Sequence, residues 1–322
     1  MVCADYCSTL SLAIKDDLRT VQTGLTDLKE DTTTLVDTTS KIKTDTTILQ
    51  DHAAMQRKKE LLEWICLIDY HEQHRDYLKR HHVGTGQWFL QDTKFREWIQ
   101  SGNAILFCPG IPGAGKTIMA ALVIEHLLRT CHSSDSPVVF IYCDYKRQGE
   151  QSFEHMLSTL LRQIVDIRVD VPKTVHDLLT AYKTKGIMPS VDEIKQALGA
   201  ISNSLHELTI VVDALDECEP RARRDLLQAV ETLHRQGNVR YLATSRYFPE
   251  IESHSAFCEK PKLEVRASDE DLEKYIRSRA SELHRQVASN PDLLENLVSS
   301  TVNATGGMYV QSFLQSLFLA VR

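Results

Sequence analysis

The residues best suited to chemistry are Lys116 and Thr117, which close the run Gly110-Ile111-Pro112-Gly113-Ala114-Gly115-Lys116-Thr117. In the spacing GxxxxGK[ST], backbone N–H groups of a glycine-rich turn and the positive end of the next helix cradle phosphate. The lysine reaches the β- and γ-phosphates and the hydroxyl ligates Mg²⁺. Glycine at 110, 113 and 115 permits the backbone to approach phosphate closely. A carboxylate to support the same metal stands at Asp213, after the apolar run Leu208 to Val212. The carboxyl edge of an open α/β sheet is where ligands bind, so Asp213 is the natural outer-shell partner of the Mg²⁺ held by Thr117. Asp216 and Glu217 follow closely enough for one of them to orient or deprotonate an attacking water. Thr244, Ser245 and Arg246 end another short apolar run, Val239 to Ala243. An arginine there can reach a γ-phosphate and distinguish ATP from ADP.

These residues need a scaffold, and the flanking sequence supplies one. Residues 104–128 read as a strand, the phosphate loop and an amphipathic helix. Val138 to Cys143 is a buried-strand run followed by a helical pattern at 152–165, and a second helical pattern at 191–201 precedes the Asp213 strand. Residues 220–237 form a crossover helix ending at Gly237, and Lys262 to Val265 is a candidate fifth strand. This alternation predicts an α/β fold, a P-loop NTPase with a parallel sheet and helices on both faces. Residues 269–321 read as helices only, a small lid whose amphipathic end at 308–322 lacks a neighbour.

Five motifs in order, GTGQW (Gly84 to Trp88), GIPGAGKT, VVDALDEC, ATSR and TGGMYVQSFL (Thr305 to Leu314), resemble the NACHT-type domains of STAND NTPases. More narrowly, they resemble the nephrocystin-like N-terminal NTPase domain of fungal NACHT and ankyrin-type proteins, over residues 58–322. The resemblance implies an ATP/ADP-operated switch in which the ATP form oligomerises, acting in intracellular signalling such as self/non-self recognition or programmed cell death. It assigns Lys116, Thr117 and the rest of the loop from Gly110 to phosphate and Mg²⁺, and Asp213 to the metal. Asp216 or Glu217 is assigned to hydrolysis, and Ser245 with Arg246 to sensing the γ-phosphate. Many hydrolytic P-loop ATPases place glutamate directly after the strand aspartate; here Ala214 stands there, so slow ATP hydrolysis is the expected activity. Relatives also continue into a winged-helix segment, whose histidine touches ADP, and a repeat array. Since the chain stops at Arg322, the expectation is a truncated gene model, a fragment or a short natural member, lacking that lock. Other classes are a nucleotide-independent oligomerisation scaffold and a small-molecule kinase. Adenine over guanine comes from the resemblance, as no N/T-K-x-D motif is present.

Composition narrows the class. A net charge of −7 opposes general nucleic-acid binding, which rewards a basic surface. No run of about 18 apolar residues and no signal peptide are evident, so a cytoplasmic protein without a transmembrane segment is expected. The eight cysteines make no C-x-x-C pair and read as reduced, mostly buried thiols, and the 13 histidines make no zinc pattern. His81 and His82 beside Arg80 read as a solvated basic stretch. Trp88 is either a core anchor or an adenine platform, and Arg221, Arg223 and Arg224 are either a solvated helix start or arginine fingers.

Ile14, Val21, Leu28, Leu35, Ile42 and Leu49 recur every seven residues, with Ser11, Leu18, Leu25, Thr32, Thr39 and Thr46 at the complementary heptad position. The threonine-rich second half is expected to be a marginal helix alone. A self-associating coiled coil, a helix packed on its own domain or a neighbouring hairpin, and a tether that folds on binding all fit. The chain is therefore expected to divide into an N-terminal helical segment (1–57), a helical linker carrying GTGQW (58–103), the NTPase core (104–267) and an incomplete helical lid (268–322). Self-association through the helix and the NTPase domain is the expected partnership.

Overall fold

The computed structural model describes residues 2–65, 68–131, 133–168, 172–278 and 291–305. The chain forms two compact units, Met1–Glu60 and Leu61–Arg322. The first is continuous helix, the bulk of α1 (Val2–Ile65), and it runs unbroken through the threonine-rich stretch. Threonine is stiff and a poor helix former, but here its hydroxyls turn back onto the preceding turn. Thr33 donates to the Lys29 carbonyl at 2.9 Å and Thr39 to the Leu35 carbonyl at 2.7 Å.

The second unit begins with the last turn of α1, whose Leu61, Leu62 and Ile65 enter its core. Next come α2 (Tyr70–Arg80), α3 (Gln87–Gln91) and α4 (Thr93–Gln100). The side chains of Asp69 and Asp92 cap α2 and α4, accepting from His71 N and Lys94 N, each at 2.8 Å. The α/β core follows: β1 (Ile105–Pro109), α5 (Lys116–Thr130), β2 (Val138–Tyr142) and α6 (Phe153–Ile167). Then α7 (Lys173–Lys185), α8 (Val191–Ser202), β3 (Leu208–Asp213), α9 (Pro220–Gln236) and β4 (Val239–Ser245) complete it. A short α10 (Pro249–Glu252), α11 (Asp269–Ser278) and α12 (Pro291–Thr305) end the described chain.

All four strands are parallel, in the order β1-β4-β3-β2. Every strand residue is buried, as continuous apolar runs require when helices cover both faces of a sheet. Helix α5 packs across β2, β3 and β4 with α2 beside it, while α6, α8 and α9 pack on one another, α6 against β2 and α9 against β4. The expected fifth strand is an extended segment rather than a full strand. It follows the free edge of β1 through one parallel bridge, Phe107 to Lys262, and Val265 N donates to Pro109 O at 2.7 Å. Helix α7 had no counterpart in the sequence reading. The Thr305 to Leu314 motif beyond its first residue, and the apolar end at 308–322, lie outside the described residues. Among the described residues no helix is long and apolar enough to cross a membrane.

Candidate functional site

The phosphate loop leaves β1 at Pro109 and enters α5 at Lys116, at the carboxyl edge of the sheet. Gly115 caps α5 with φ +84°, a left-handed conformation that favours glycine. Gly110 has a different constraint. A Cβ there would lie 2.4 Å from the Val265 carbonyl oxygen, so the edge segment demands glycine whether or not phosphate approaches. Gly110 N also donates to Ser245 O at 3.0 Å, tying the loop to the end of β4. The Lys116 ammonium folds back over the loop, donating to the Gly110 and Ile111 carbonyls at 2.9 Å each. Burial holds its pKa below the ordinary value, against the pull of Asp216, Asp213 and Glu217.

Asp213 ends β3, is 1% exposed and is hydrogen-bonded to the Thr117 hydroxyl. Thr244 Oγ1 donates to Asp213 Oδ1 at 2.5 Å and accepts from Ala214 N at 2.9 Å. The sequence reading placed Thr244 at this edge but gave the polar role to Ser245. Ser245 is fully buried, its Oγ finds no partner among the described residues, and its backbone carbonyl accepts from the loop. The residue that fixes Asp213 is therefore Thr244, brought level by the β3–β4 pairing, in which Val212 faces Ala243. Ala214, directly after Asp213, has φ +55°, a strained conformation for a side-chain-bearing residue.

Burial pushes the Asp213 pKa up from 3.8 to about 6, while Thr244, Thr117 and Lys116 restrain the rise and Glu217 adds to it. A folded pKa above the unfolded one means this group's contribution to stability is complete below about pH 4 and lost as pH rises through about 6. Asp213→Asn is thus expected to stabilise the metal-free chain at pH 7 by about 1–3 kcal/mol. Urea unfolding with chelator present checks this. The gain over wild type should shrink as pH falls from about 7 to 4.5.

Asp216, Glu217 and Arg246 meet on the same edge. Arg246 Nε lies 3.2 Å from Asp216 Oδ2, and its Nη2 lies 3.6 Å from Glu217 Oε1. Arg246 N also donates to Asp216 Oδ1 at 2.9 Å. Burial raises the Glu217 pKa and its neighbours Asp216 and Asp144 add to the rise, while Tyr145 N and Arg246 oppose it. Asp216 and Glu217 lie on a single turn of 3₁₀ helix just past β3, so both carboxylates face the arginine at the end of β4.

A cavity of about 680 Å³ opens beside the loop, lined by Gly115, Thr117, Ala214 and Glu217. Its other wall corrects the sequence reading. Arg80, His81 and His82 line it with Thr85, and His81 Nε2 bonds the Thr85 carbonyl at 3.0 Å, so the basic stretch at the end of α2 faces the site. The sequence signal was the adjacency of that stretch to GTGQW; what it lacked was the position of α2 beside α5. Trp88 does not line the cavity. It packs against the core, edge-on to Phe89 with ring centroids 5.6 Å apart. Arg223 is also not a solvated helix start, because its buried side chain pairs with Glu250 at 3.1 Å and lies over the Phe248 ring. Arg221 and Arg224 are exposed. Among the described cysteines, Cys108, Cys143 and Cys218 are buried, Cys131 is half-buried and Cys258 exposed.

Comparison with solved structures finds a DNA replication initiation factor at 12% identity and TM-score 0.42, covering 76% of this chain and 63% of that one. It also finds Orc1 of Aeropyrum pernix in complex with DNA, at 18% identity and TM-score 0.41, covering 77% and 60%. AMPPCP-bound DnaA from Aquifex aeolicus matches at 11% identity and TM-score 0.36, covering 74% and 68%. The chain thus spans 63% of the length of the first and 60% of the second. No curated protein matches it. The family model described as nephrocystin 3, N-terminal, matches residues 84–246, about half of the chain. That span opens on the Gly84 turn and closes on Arg246, enclosing the phosphate loop, Asp213 and the acidic turn. The chain belongs to the nephrocystin 3 N-terminal family, with the architecture of a P-loop NTPase.

Proposed function

We infer that this protein is an ATP/ADP-binding switch of the STAND type with slow NTPase activity. The observation that carries the reading is the convergence of Lys116, Thr117, Asp213, Glu217 and Arg246 on one sheet edge beside a cavity of about 680 Å³. Nucleotide phosphates fit the loop because α5 has no side-chain cap, so its first N–H groups keep their capacity for an anion. The residues also suit Mg²⁺. A threonine hydroxyl touching a buried carboxylate is the modest donor set this ion takes when phosphates and waters complete its shell. Thr117 would ligate the ion and Asp213 would support it; when bound, the ion neutralises charge on the phosphates.

Arg246 is the switching element in this reading. Its guanidinium pairs with Asp216 and Glu217. A γ-phosphate competes for that cation, freeing a carboxylate that can orient water, and loss of the phosphate lets the ion pairs re-form. Ser245 supports the sensor through its backbone bond to the loop rather than through its hydroxyl. The Ala214 position fits slow turnover. Assembly in response to ATP, and a role in intracellular signalling of the kind its fungal relatives perform, complete the proposal. Net charge of −7 disfavours a nucleic-acid partner.

Calorimetric titration with Mg·ATP and Mg·ADP tests the reading. Wild type should bind both, and Arg246→Ala should lose on the order of tenfold in ATP affinity with ADP affinity nearly unchanged. Equal losses for both nucleotides would remove the sensor role. A folded wild type that binds neither would leave the nucleotide-independent scaffold.

A further inference from the structure

Helix α1 carries a stripe with no occupant yet assigned. At the heptad position called d stand Val21, Leu28, Leu35, Ile42 and Leu49, each between 60% and 69% exposed. At position a stand Leu18, Leu25, Thr32, Thr39 and Thr46. The a-position threonines can be buried without stranding a hydroxyl. Thr32 donates to the Leu28 carbonyl, and Thr39 and Thr46 donate to the Leu35 and Ile42 carbonyls at 2.7 Å each.

We propose that this stripe is covered by the same segment of a second copy of the chain, running antiparallel, with residue 18 level with residue 49 of the other copy. The distribution of threonine is the first argument. A parallel, in-register pair stacks Thr32, Thr39 and Thr46 each on itself. The antiparallel pair sets Thr32 on Leu35, Thr39 on Leu28 and Thr46 on Val21, and it sets Leu18 and Leu25 on Leu49 and Ile42. Every layer then buries at least one large aliphatic side chain, so the complete early half of one copy compensates the threonine-rich late half of the other.

The flanking charges supply the second argument and fix the register. Position e carries Lys15, Lys29 and Lys43, separated by the uncharged Gln22 and Val36; position g carries Asp17, Asp31 and Asp45, separated by Gly24 and Thr38. In an antiparallel pair, e faces e and g faces g. In the proposed register Lys15 faces Gln50, Lys29 faces Val36 and Lys43 faces Gln22. On the other flank Asp17 faces His52, Asp31 faces Thr38 and Asp45 faces Gly24. A slip of one heptad either way sets Lys29 against Lys29 or Lys43, and Asp31 against Asp31 or Asp45. Like charges so placed repel, so the fourteen-residue alternation rejects the neighbouring registers.

Sedimentation of the full chain over a concentration series tests the proposal. Gln22 faces Lys43 and Gln50 faces Lys15 in the antiparallel pair, whereas in a parallel pair they face Asp17 and Asp45. Gln22→Glu with Gln50→Glu should therefore tighten the dimer on the order of tenfold, since each new ion pair occurs twice by symmetry. Gln22→Lys with Gln50→Lys should weaken it by a similar factor. Reversal of both signs would establish a parallel pair and overturn the proposal. So would a wild-type chain that stays monomeric up to about 100 µM. Leu28→Asp with Leu35→Asp should abolish the dimer while the second unit melts as in wild type; a dimer that survives these changes would also overturn it. Measured without nucleotide, Lys116→Ala should leave the dimer constant unchanged, so the pairing stands or falls separately from the nucleotide reading.

Discussion

Replacing Lys116 with alanine is expected to remove saturable nucleotide binding, weakening affinity on the order of a hundredfold or more, while leaving the fold intact. Both parts follow from the geometry of the ammonium. It is half-buried and, among the described residues, bonds to the Gly110 and Ile111 carbonyls, which belong to the loop itself. Its removal costs those hydrogen bonds but also relieves the burial that holds its pKa down, so the change in stability should stay within about 1 kcal/mol. What alanine cannot replace is a cation at the loop itself, where the charges that act on Lys116 are chiefly the carboxylates of Asp216, Asp213 and Glu217. With lysine gone, Asp213, Asp216 and Glu217 face the phosphates with Arg246 as their near counter-charge. Titration calorimetry with Mg·ATP and Mg·ADP, beside a thermal melt of the same sample, separates the effects. Wild-type affinity in a folded Lys116→Ala protein would show that nucleotide, if bound, lies elsewhere.

The parts of this site that could be read directly are those whose chemistry is set by local spacing. A phosphate loop is eight consecutive residues between a strand and a helix, and a metal-supporting aspartate is the last residue of an apolar strand. The structure places those eight residues from the end of β1 into the start of α5 and Asp213 at the end of β3, the positions read from the sequence; their roles toward phosphate and metal belong to the proposal. Thr244 escaped assignment because its role depends on which residue of β4 lies level with Asp213, and parallel pairing sets that through a helix-long connection. Gly110 was readable as glycine but not for its actual constraint, the carbonyl of a residue 155 positions later. Arg80, His81 and His82 looked like surface because a basic run carries no record of its neighbours; packing of α2 beside α5 turns it toward the cavity. Helix α7 was missed because its sequence, KTVHDLLTAYKTK, mixes polar and apolar residues without a sustained stripe. Threonine propensity predicts a late half of α1 that is marginal alone; in the structure it is helical, with its hydroxyls bonded back to the preceding turn, a contact that does not raise the helix's intrinsic stability.

The two strands that bring Thr244 beside Asp213 carry a buried ion pair at their other end, and breaking that pair should be among the costliest single changes in the protein. Arg240 lies in the first turn of pairing between β4 and β3, opposite Thr209, with its side chain 3% exposed. Its guanidinium bonds Glu207 Oε2 at 2.5 Å and the Ile99 carbonyl, and it lies 5.7 Å from the centre of the Trp98 ring. Burial raises the Glu207 pKa even beside this arginine, a sign that the pair is held in a poorly solvating place. Among the described residues each partner keeps one polar atom without a hydrogen bond, Arg240 Nε and Glu207 Oε1, so the ion pair is not itself an optimal source of stability. Its loss is costly for a different reason. Glu207→Ala strands the guanidinium inside the protein, at an expected cost of about 3–5 kcal/mol. The double change Glu207→Leu with Arg240→Met removes both charges and keeps the volume, so it should fall within about 1–2 kcal/mol of wild type. Urea unfolding of the three proteins checks the ordering. If the double variant is as unstable as the single one, the pair stabilises the fold directly. If it is nearly as stable as wild type but binds nucleotide poorly, the pair's contribution is to register, and the alignment of Thr244 with Asp213 depends on a contact at the far end of the same two strands.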